Sequence, residues 1–294
     1  EEDILWLAGT RAVRFDYGGT KWASYPGAVG PPYQDPENGL WFPNASGGTV
    51  VFNKETWQAS PEIEWPVYRS SQGTLWTGGG GGIRSSAGQA WRSHPGILDS
   101  IQTITQTRDG RLWFTGKRKD RSVVACYDGE HWKTYTDEDW GKGISLGRKV
   151  VESPTGDLWF LPYLGARLVG YGLIRFDGMR WYHYTARDVW RKEIRSEMAN
   201  RIYDLEVDRT GTVWVGTGKG LWSFDGTTWK PFEEENGPDG RKIVKIIAAQ
   251  DSSLWYACAL TRDVPGGIFR YKAGAWTAYT PADGLAGNDV WTAF

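Results

Sequence analysis

The chain has 294 residues, of which 40% are hydrophobic and 15% are aromatic. This content is enough for a large core and excludes an intrinsically disordered protein. The formal net charge of -1 excludes a whole-molecule field that would attract nucleic acid or an anionic membrane. Any preference for charged partners must therefore come from local patches.

The sequence gives no support for a membrane span, a targeting segment or a metal site. It has no run of roughly 18 apolar residues, and Glu1–Asp3 lacks the basic region of a signal peptide. Cys126 and Cys258 form no CxxC pattern, and the three histidines do not cluster. We therefore expect no zinc site, no cofactor and two free, mostly buried thiols.

A bulky apolar residue followed by tryptophan recurs along the whole chain. In chain order, the pairs are Leu5-Trp6, Leu40-Trp41, Leu75-Trp76, Leu112-Trp113, Leu158-Trp159, Val213-Trp214 and Leu254-Trp255. The mean spacing over the six steps from Trp6 to Trp255 is 41.5 residues, which is typical of a four-stranded propeller blade at roughly 40–45 residues. Each pair is followed by a second tryptophan: Trp22, Trp57, Trp91, Trp132, Trp181, Trp229 and Trp276. The pattern predicts an all-β, seven-bladed β-propeller that spans residues 1–294 as one domain.

The sixth repeat shows the predicted blade most clearly. Its four strands are Arg201–Asp208, Thr212–Gly216, Gly220–Asp225 and Thr228–Phe232, and Asp225-Gly226 is a strong signal for a turn between the last two. Adjacent residues of a strand point to opposite faces of the sheet. Because both residues of each apolar-Trp pair are large and apolar, we expect both faces of every blade to be buried.

The two ends of the chain predict ring closure. The first repeat begins with its second strand, and Asn288–Phe294 has the pattern of an additional first strand. Pairing of this strand with the segment around Leu5-Trp6 would remove two open sheet edges. Three further tryptophans, Trp65, Trp222 and Trp291, also fall on predicted strands, where we expect them to be in the core.

The long connections fall at one end of the predicted blades. The segments between second and third strands are Thr115–Ser122, Leu161–Gly172 and Ala257–Gly267, and those between consecutive blades are Thr136–Arg148, Thr185–Asn200 and Glu233–Arg241. Part of 185–200 has the pattern of a short helix. Insertions that cluster on one face usually mark a binding face, although neutral variation of surface loops is the alternative.

The candidate binding residues lie in these connections. The first segment carries four cations, including Arg118, against one acidic residue, and 185–201 carries five cations, including Arg191, against three. An anionic sugar or peptide could bind this basic arc, unless its charges are merely solvated. Trp140 and Trp190 could stack on a ligand or partner, or could instead anchor their own loops.

The segment Gly211–Phe232 (GTVWVGTGKGLWSFDGTTWKPF) closely resembles the two-component regulator propeller repeat. Gly172–Tyr184 and Asp283–Val290 match other parts of that repeat. The resemblance implies a bacterial, extracytoplasmic ligand-binding module, since many members of the family are sensor domains that recognise glycan fragments. It implies a periplasmic or extracellular location and no catalytic residues.

Three functions remain open at this stage. The first is a non-enzymatic module that binds a glycan, another anionic ligand or a protein through the long connections. The second is a structural subunit that docks onto a larger assembly. The third is a polysaccharide lyase or glycosidase on the same rim; a lyase could use Tyr163 or Tyr171 with Arg167. The fold alone does not choose among them.

Overall fold

The structure is a computed structural model. It describes residues 4–8, 12–16, 19–25, 27–30, 32–37, 39–53, 56–88, 90–163, 172–184, 201–232, 241–259 and 266–279. Within this part of the chain, no helix has the length and apolar character needed to cross a membrane.

The fold is all-β, with strands that follow one another through each sheet in chain order. Sheet 1 has three described strands: β1 (Ile4–Ala8), β2 (Ala12–Asp16) and β3 (Gly19–Tyr25). Sheet 2 has four strands, β4 (Tyr33–Gln34), β5 (Leu40–Pro43), β6 (Thr49–Phe52) and β7 (Trp57–Ser60). Sheet 3 consists of β8 (Val67–Arg69), β9 (Leu75–Gly79), β10 (Gly82–Ser86) and β11 (Trp91–His94). Sheet 4 consists of β12 (Ser100–Gln106), β13 (Leu112–Arg118), β14 (Arg121–Tyr127) and β15 (Trp132–Thr136). Sheet 5 consists of β16 (Leu146–Glu152), β17 (Leu158–Pro162), β18 (Leu173–Phe176) and β19 (Trp181–Tyr184). Sheet 6 consists of β20 (Ile202–Val207), β21 (Val213–Thr217), β22 (Gly220–Phe224) and β23 (Trp229–Pro231). Sheet 7 consists of β24 (Ile243–Ala248), β25 (Leu254–Cys258), β26 (Gly267–Lys272) and β27 (Ala275–Tyr279). The one described helix, α1 (Asp137–Trp140), follows β15.

The chain divides into two compact units. One contains Glu1–Gly147 and Phe294, and the other contains Arg148–Ala293. Sheets 1 to 4 belong to the first unit, and sheets 5 to 7 belong to the second apart from the first two residues of β16. Six four-stranded antiparallel sheets are the blade units of a propeller. The assignment of residues 1–294 to one domain stays a prediction.

Sheet 6 shows how the repeat buries both faces. Val213, Phe224 and Trp229 are paired across three strands and lie on one face, where they pack against the cluster that includes Trp159 of sheet 5. Trp214 lies on the other face and packs against the buried cluster that includes Tyr256 of sheet 7. The prediction that both faces are buried is therefore confirmed for this sheet.

The strand and turn assignments in the sixth repeat are also confirmed. The four predicted strands correspond to β20 to β23, with ends that differ by at most one residue. Gly226 has a φ of 96° in the Asp-Gly turn, a conformation that glycine adopts without a Cβ penalty. Trp65 and Trp222 pack against buried clusters as predicted, whereas Trp291 lies outside the described residues.

The prediction of a long insertion at Thr115–Ser122 is wrong. β13 and β14 continue through this segment, and the turn between Arg118 and Arg121 has two residues. Lys119 and Asp120 have φ values of 49° and 64°, and two consecutive positive φ angles give the tight hairpin that matches strand twist. The charged residues resemble a loop in the sequence because they lie at the tip of a long hairpin.

Sheet 3 departs from the repeat at the end of its last strand. A tyrosine stacks on the repeat tryptophan at this position in sheets 4, 5 and 7, and His94 takes its place in sheet 3. The His94 ring stacks on Trp76 with ring centroids 5.2 Å apart, and its Nε2 lies 2.9 Å from Ser85 Oγ. Burial lowers the pKa of His94, and the positive charge of Arg92 lowers it further.

We predict that His94 makes the stability of the protein fall in mild acid. Its pKa is lowered in the folded protein, so the unfolded chain binds a proton more readily as the pH falls through about 6.5. The resulting loss of unfolding free energy is at most about 1.4 kcal/mol per pH unit. Urea unfolding between pH 7.5 and 5.5 should show this loss in the wild type and a smaller one in His94→Tyr. His131→Tyr is the control, because the His131 side chain is 80% exposed; equal pH dependence in wild type and His94→Tyr would contradict the prediction.

Candidate functional site

The first strands of sheets 5, 6 and 7 lie side by side. The Arg148 guanidinium of β16 donates a 3.2 Å hydrogen bond to the carbonyl oxygen of Ile202 in β20. Asp204 of β20 in turn accepts a 2.9 Å hydrogen bond from the backbone N–H of Ile246 in β24. Residues on these three strands can therefore combine into one site.

A buried ion cluster joins the three strands. Lys149 Nζ lies 3.2 Å from Asp204 Oδ1 and 2.9 Å from Glu206 Oε2, and Lys245 Nζ lies 3.6 Å from Asp204 Oδ2. The Asp204 side chain is 7% exposed. Such a carboxylate is tolerated inside the protein because two ammonium groups and backbone N–H groups surround it.

The pKa values of the cluster follow from burial and charge. Burial alone would raise the pKa of Asp204, but Lys149, Lys245 and the backbone N–H of Ile246 outweigh that effect and lower it. Burial opposes the charged form of Lys149, yet Asp204 and Glu206 raise its pKa. Asp204 and Lys149 are therefore ionised at neutral pH and hold β16 and β20 together, whereas burial lowers the pKa of Lys245 and Asp204 offsets this only in part.

Cationic and aromatic residues lie near the beginning of the same strands and after the end of β17. We call Arg148, Tyr163, Arg201, Tyr203 and Lys242 the rim cluster. The Lys242 ammonium is 4.7 Å from the ring centroid of Tyr203, and the Arg201 guanidinium is 5.9 Å from it. Both distances suit cation–π contacts. The rim cluster thus gathers cations around an aromatic side chain.

The electrostatics of the rim cluster favour an anion. Burial lowers the pKa of the Arg148 guanidinium, Asp204 partly offsets this, and repulsion from Arg201 lowers it further. Arginine nevertheless keeps its charge in proteins. Arg201 and the described first strands of sheets 5 to 7 carry four cations (Arg148, Lys149, Arg201, Lys245) against three carboxylates (Glu152, Asp204, Glu206), a net charge of +1. A carboxylate, sulfate or phosphate bound between the arginines would relieve their repulsion.

Only some of the predicted site residues lie in the described part of the chain. Tyr163 follows β17, is 44% exposed and interacts electrostatically with Arg148, so it belongs to the rim cluster. Arg118 is at the tip of the β13–β14 hairpin and donates a 3.2 Å hydrogen bond to the carbonyl oxygen of Gly96. Arg167, Trp190 and Arg191 lie outside the described residues.

Trp140 anchors its own connection, which was one of the two roles expected for it from the sequence. It is 3% exposed, and its indole N–H donates to the carbonyl oxygen of Ile144 at 3.1 Å. The helix α1 that carries it begins with a capping box formed by Thr136 and Asp139. A binding role for Trp140 stays a prediction.

Sequence reasoning did not identify Arg148, Tyr203 or Lys242 as binding residues. They are close to strand beginnings, whereas the candidates taken from the sequence lie in the long connections. The signal that could have found them is their position, since each lies within three residues of a predicted connection. Their proximity to one another depends on contacts between sheets, which a single sequence does not show.

The two cysteines are free and buried, as predicted. Burial raises the pKa of the Cys126 thiol to about 11 and that of the Cys258 thiol to about 12. A nucleophilic cysteine requires a thiolate at neutral pH. Neither thiol therefore meets that requirement.

The family resemblance is confirmed by a direct match. Residues 196–219 fit the model of the two component regulator propeller family. They include β21, which carries the apolar-Trp pair of sheet 6. No curated protein matches the chain in sequence.

Solved propellers share the fold at low sequence identity. The chain is 14% identical to YCF48 bound to D1 peptide, with a TM-score of 0.55 over 92% of this chain and 90% of that one. It is also 14% identical to a catalytically inactive virginiamycin B lyase from Staphylococcus aureus with quinupristin, with a TM-score of 0.56 over 84% and 82%. The extracellular domain of a putative one component system from B. thetaiotaomicron is 15% identical, with a TM-score of 0.51 over 98% of this chain and 48% of that one. The chain thus spans about half the length of that extracellular domain, and the likeness establishes a propeller-type fold.

We predict that Asp204 holds the three first strands together. In Asp204→Asn the two lysines keep their charge but lose the shared carboxylate, which should lower the free energy of unfolding at pH 7 by about 3–5 kcal/mol. Because the folded pKa of Asp204 lies below the ordinary 3.8, its contribution is complete above that pH and is lost as the pH falls through the folded pKa. Urea unfolding at pH 7 and below pH 4 measures both effects.

Glu130→Gln is the control for this experiment, because the Glu130 side chain is 85% exposed. Adding Lys245→Met to Asp204→Asn should restore part of the stability, since it removes one of the facing ammonium groups. Equal stability of Asp204→Asn and Glu130→Gln at pH 7 would show that the cluster is not needed.

Proposed function

We propose that the chain is a non-enzymatic binding module of the extracytoplasmic sensor type, which takes an anionic ligand at the rim cluster. The observation that carries this proposal is the gathering of Arg201 and Lys242 around the aromatic ring of Tyr203, with Arg148 bound to the carbonyl oxygen of the intervening Ile202. An anionic group with two or more oxygens matches the fork of N–H donors on an arginine.

The class of ligand follows from the chemistry of the rim cluster. Tyr163 and Tyr203 supply aromatic faces beside the cations, a combination that suits an acidic sugar as well as an acidic peptide. The family resemblance favours a glycan fragment with carboxylate or sulfate groups. The binding roles of Arg118, Trp140, Arg167, Trp190 and Arg191 stay predictions within this proposal.

The proposed location is periplasmic or extracellular. Support comes from the match to the two component regulator propeller family and from the similar fold of an extracellular domain of a putative one component system. The similarity to YCF48 bound to D1 peptide keeps the alternative of a structural subunit that binds a protein. The similarity to virginiamycin B lyase keeps an enzyme on the same rim as a further alternative.

Titration calorimetry with three anionic probes tests the binding function. The probes are polygalacturonate oligosaccharides, a polyglutamate peptide and inorganic sulfate, with neutral galactan oligosaccharides for comparison. We expect an anionic probe to bind, and the double variant Arg148→Gln/Arg201→Gln to weaken it roughly 100- to 10,000-fold, because each of the two lost charged hydrogen bonds costs about 1.5–3 kcal/mol.

The matched control is Arg180→Gln, in the turn between β18 and β19, where the residue is exposed. Affinity unchanged in Arg180→Gln and reduced in the double variant supports the rim cluster. Binding of the neutral oligosaccharides as strong as that of the charged ones, or no anionic probe bound at all, would refute the proposal. Conversion of an oligosaccharide into product would favour the enzyme instead.

We further propose that the seven sheets form one ring that the C-terminal strand closes. Sheet 1 has three described strands where the other six sheets have four, and residues 288–294 have the pattern of the missing strand. Deletion of residues 288–294 should then expose the edge of sheet 1 and lower the melting temperature. Amide hydrogen exchange in residues 4–8 should rise in the deletion variant, and unchanged protection there would contradict ring closure.

A further inference from the structure

A groove lies between sheets 3 and 4, among residues that the rim cluster does not include. Its volume is about 500 Å³, and its lining includes Ser70, Trp76, Ser85, Arg92, His94 and Tyr127. Pockets that hold small molecules have volumes of roughly 300–1,000 Å³. The groove is therefore large enough for a small organic ligand.

The repeat shows which chemical group this groove lacks. In five of the six four-stranded sheets, the turn between the first and second strands contains an aspartate bound near the repeat tryptophan. These aspartates are Asp35, Asp109, Asp157, Asp208 and Asp251. In sheet 3 the corresponding turn, residues 70–74, reads Ser-Ser-Gln-Gly-Thr and has no acidic residue.

In sheets 2 and 6 the aspartate accepts the indole N–H of the tryptophan directly. Trp41 Nε1 donates to Asp35 at 2.9 Å, and Trp214 Nε1 donates to Asp208 at 2.8 Å. Each aspartate lies six residues before its tryptophan, and Ser70 holds that position in sheet 3. Trp76 is 4% exposed, and its Nε1 has no hydrogen-bond partner among the described residues.

In sheets 5 and 7 the aspartate instead binds an arginine that covers the tryptophan. Arg175 lies 5.9 Å above the ring of Trp159 and is 2.9 Å from Asp157. In sheet 7, Arg270 covers Trp255 at 5.1 Å and is 2.7 Å from Asp251. The third strand of sheet 3 carries Ser85 at the position of these arginines, opposite Trp76, so no arginine of that strand covers the tryptophan and both residues line the groove.

Arg92 supplies the positive charge in sheet 3 from the neighbouring strand. It is paired with Ser85 across β10 and β11, which places it on the face of Trp76. Arg92 is exposed and has no ion pair within the described part of the chain. The groove thus has the tryptophan and the arginine of the repeat without their carboxylate.

We infer that the groove between sheets 3 and 4 binds a small organic monocarboxylate, which accepts the Trp76 indole N–H and pairs with Arg92. Other indole N–H groups, among them Trp229 Nε1, also have no hydrogen-bond partner within the described ranges, so an unpartnered N–H alone does not identify the site. Trp76 combines it with an open groove and an arginine on the same face. Asp128 also lines the groove, and its negative charge disfavours a second anionic group on the ligand.

The experiment uses benzoate as the probe, with benzamide as its neutral counterpart. Nitrogen-15 NMR of the full chain follows the Trp76 indole N–H, which should shift downfield as benzoate binds, and titration calorimetry gives the affinity. We expect benzamide to bind at least tenfold more weakly than benzoate. Equal affinities, or an indole signal that benzoate does not move at millimolar concentrations, would overturn the inference.

Two variants locate the carboxylate. Arg92→Gln should weaken benzoate binding roughly 10- to 100-fold, whereas Lys133→Gln, an exposed cation on the fourth strand of sheet 4, should leave it unchanged. Ser70→Asp restores the aspartate of the repeat and should abolish benzoate binding while moving the Trp76 indole signal by itself. Full binding in Ser70→Asp would overturn the assignment, and the spectrum of each variant shows that the fold is retained.

This inference is independent of the proposed function at the rim cluster. Arg148→Gln/Arg201→Gln should leave benzoate binding intact, and Ser70→Asp should leave binding of the rim probes intact. A loss of both activities in either variant would indicate a general structural defect, and would refute the assignment of two separate sites.

Discussion

The fold depends on the need of each sheet to bury two faces at once. A strand sends adjacent side chains to opposite faces, so Leu158 and Trp159 face different surroundings, and both are buried. Burial of a large apolar side chain is worth about 1.5–3 kcal/mol, and each sheet contributes several. With both faces occupied by this packing, polar chemistry is restricted to the sheet ends and to positions where the repeat is interrupted.

The two sites of this protein follow from that restriction. The rim cluster lies where first strands begin, so Arg148 and Arg201 reach solvent while Ile202 and Leu205 are buried. The groove lies where sheet 3 replaces an aspartate, an arginine and a tyrosine of the repeat with Ser70, Ser85 and His94. In both places a rigid array of strands fixes the polar groups, which reduces the entropy that a ligand must lose when it binds.

The sequence was sufficient for the elements that repeat. The apolar-Trp pairs and Asp-Gly turns located most strands, because they combine a strong β pattern with turn chemistry that has one simple solution. The prediction for segment 115–122 was wrong, since a run of charges at a hairpin tip resembles a loop. Whether it forms a loop or a hairpin depends on two φ angles, at Lys119 and Asp120, that neither residue type dictates.

The sites were harder to predict for a different reason. The contacts of Asp204 with Lys149 and Lys245 join residues 55 and 41 positions apart on three sheets, and a repeat pattern within each sheet carries no information about such pairs. The groove is different, because the evidence for it is present in the sequence when the repeats are aligned with one another. When residues 70–74 are placed beside the other five turns, the missing aspartate is visible in the amino-acid sequence alone. In a repeat protein, the residues that depart from the repeat are therefore informative about ligands. The consensus residue has a known structural role in the other sheets, and where it is missing, that role indicates which chemical group a ligand would supply.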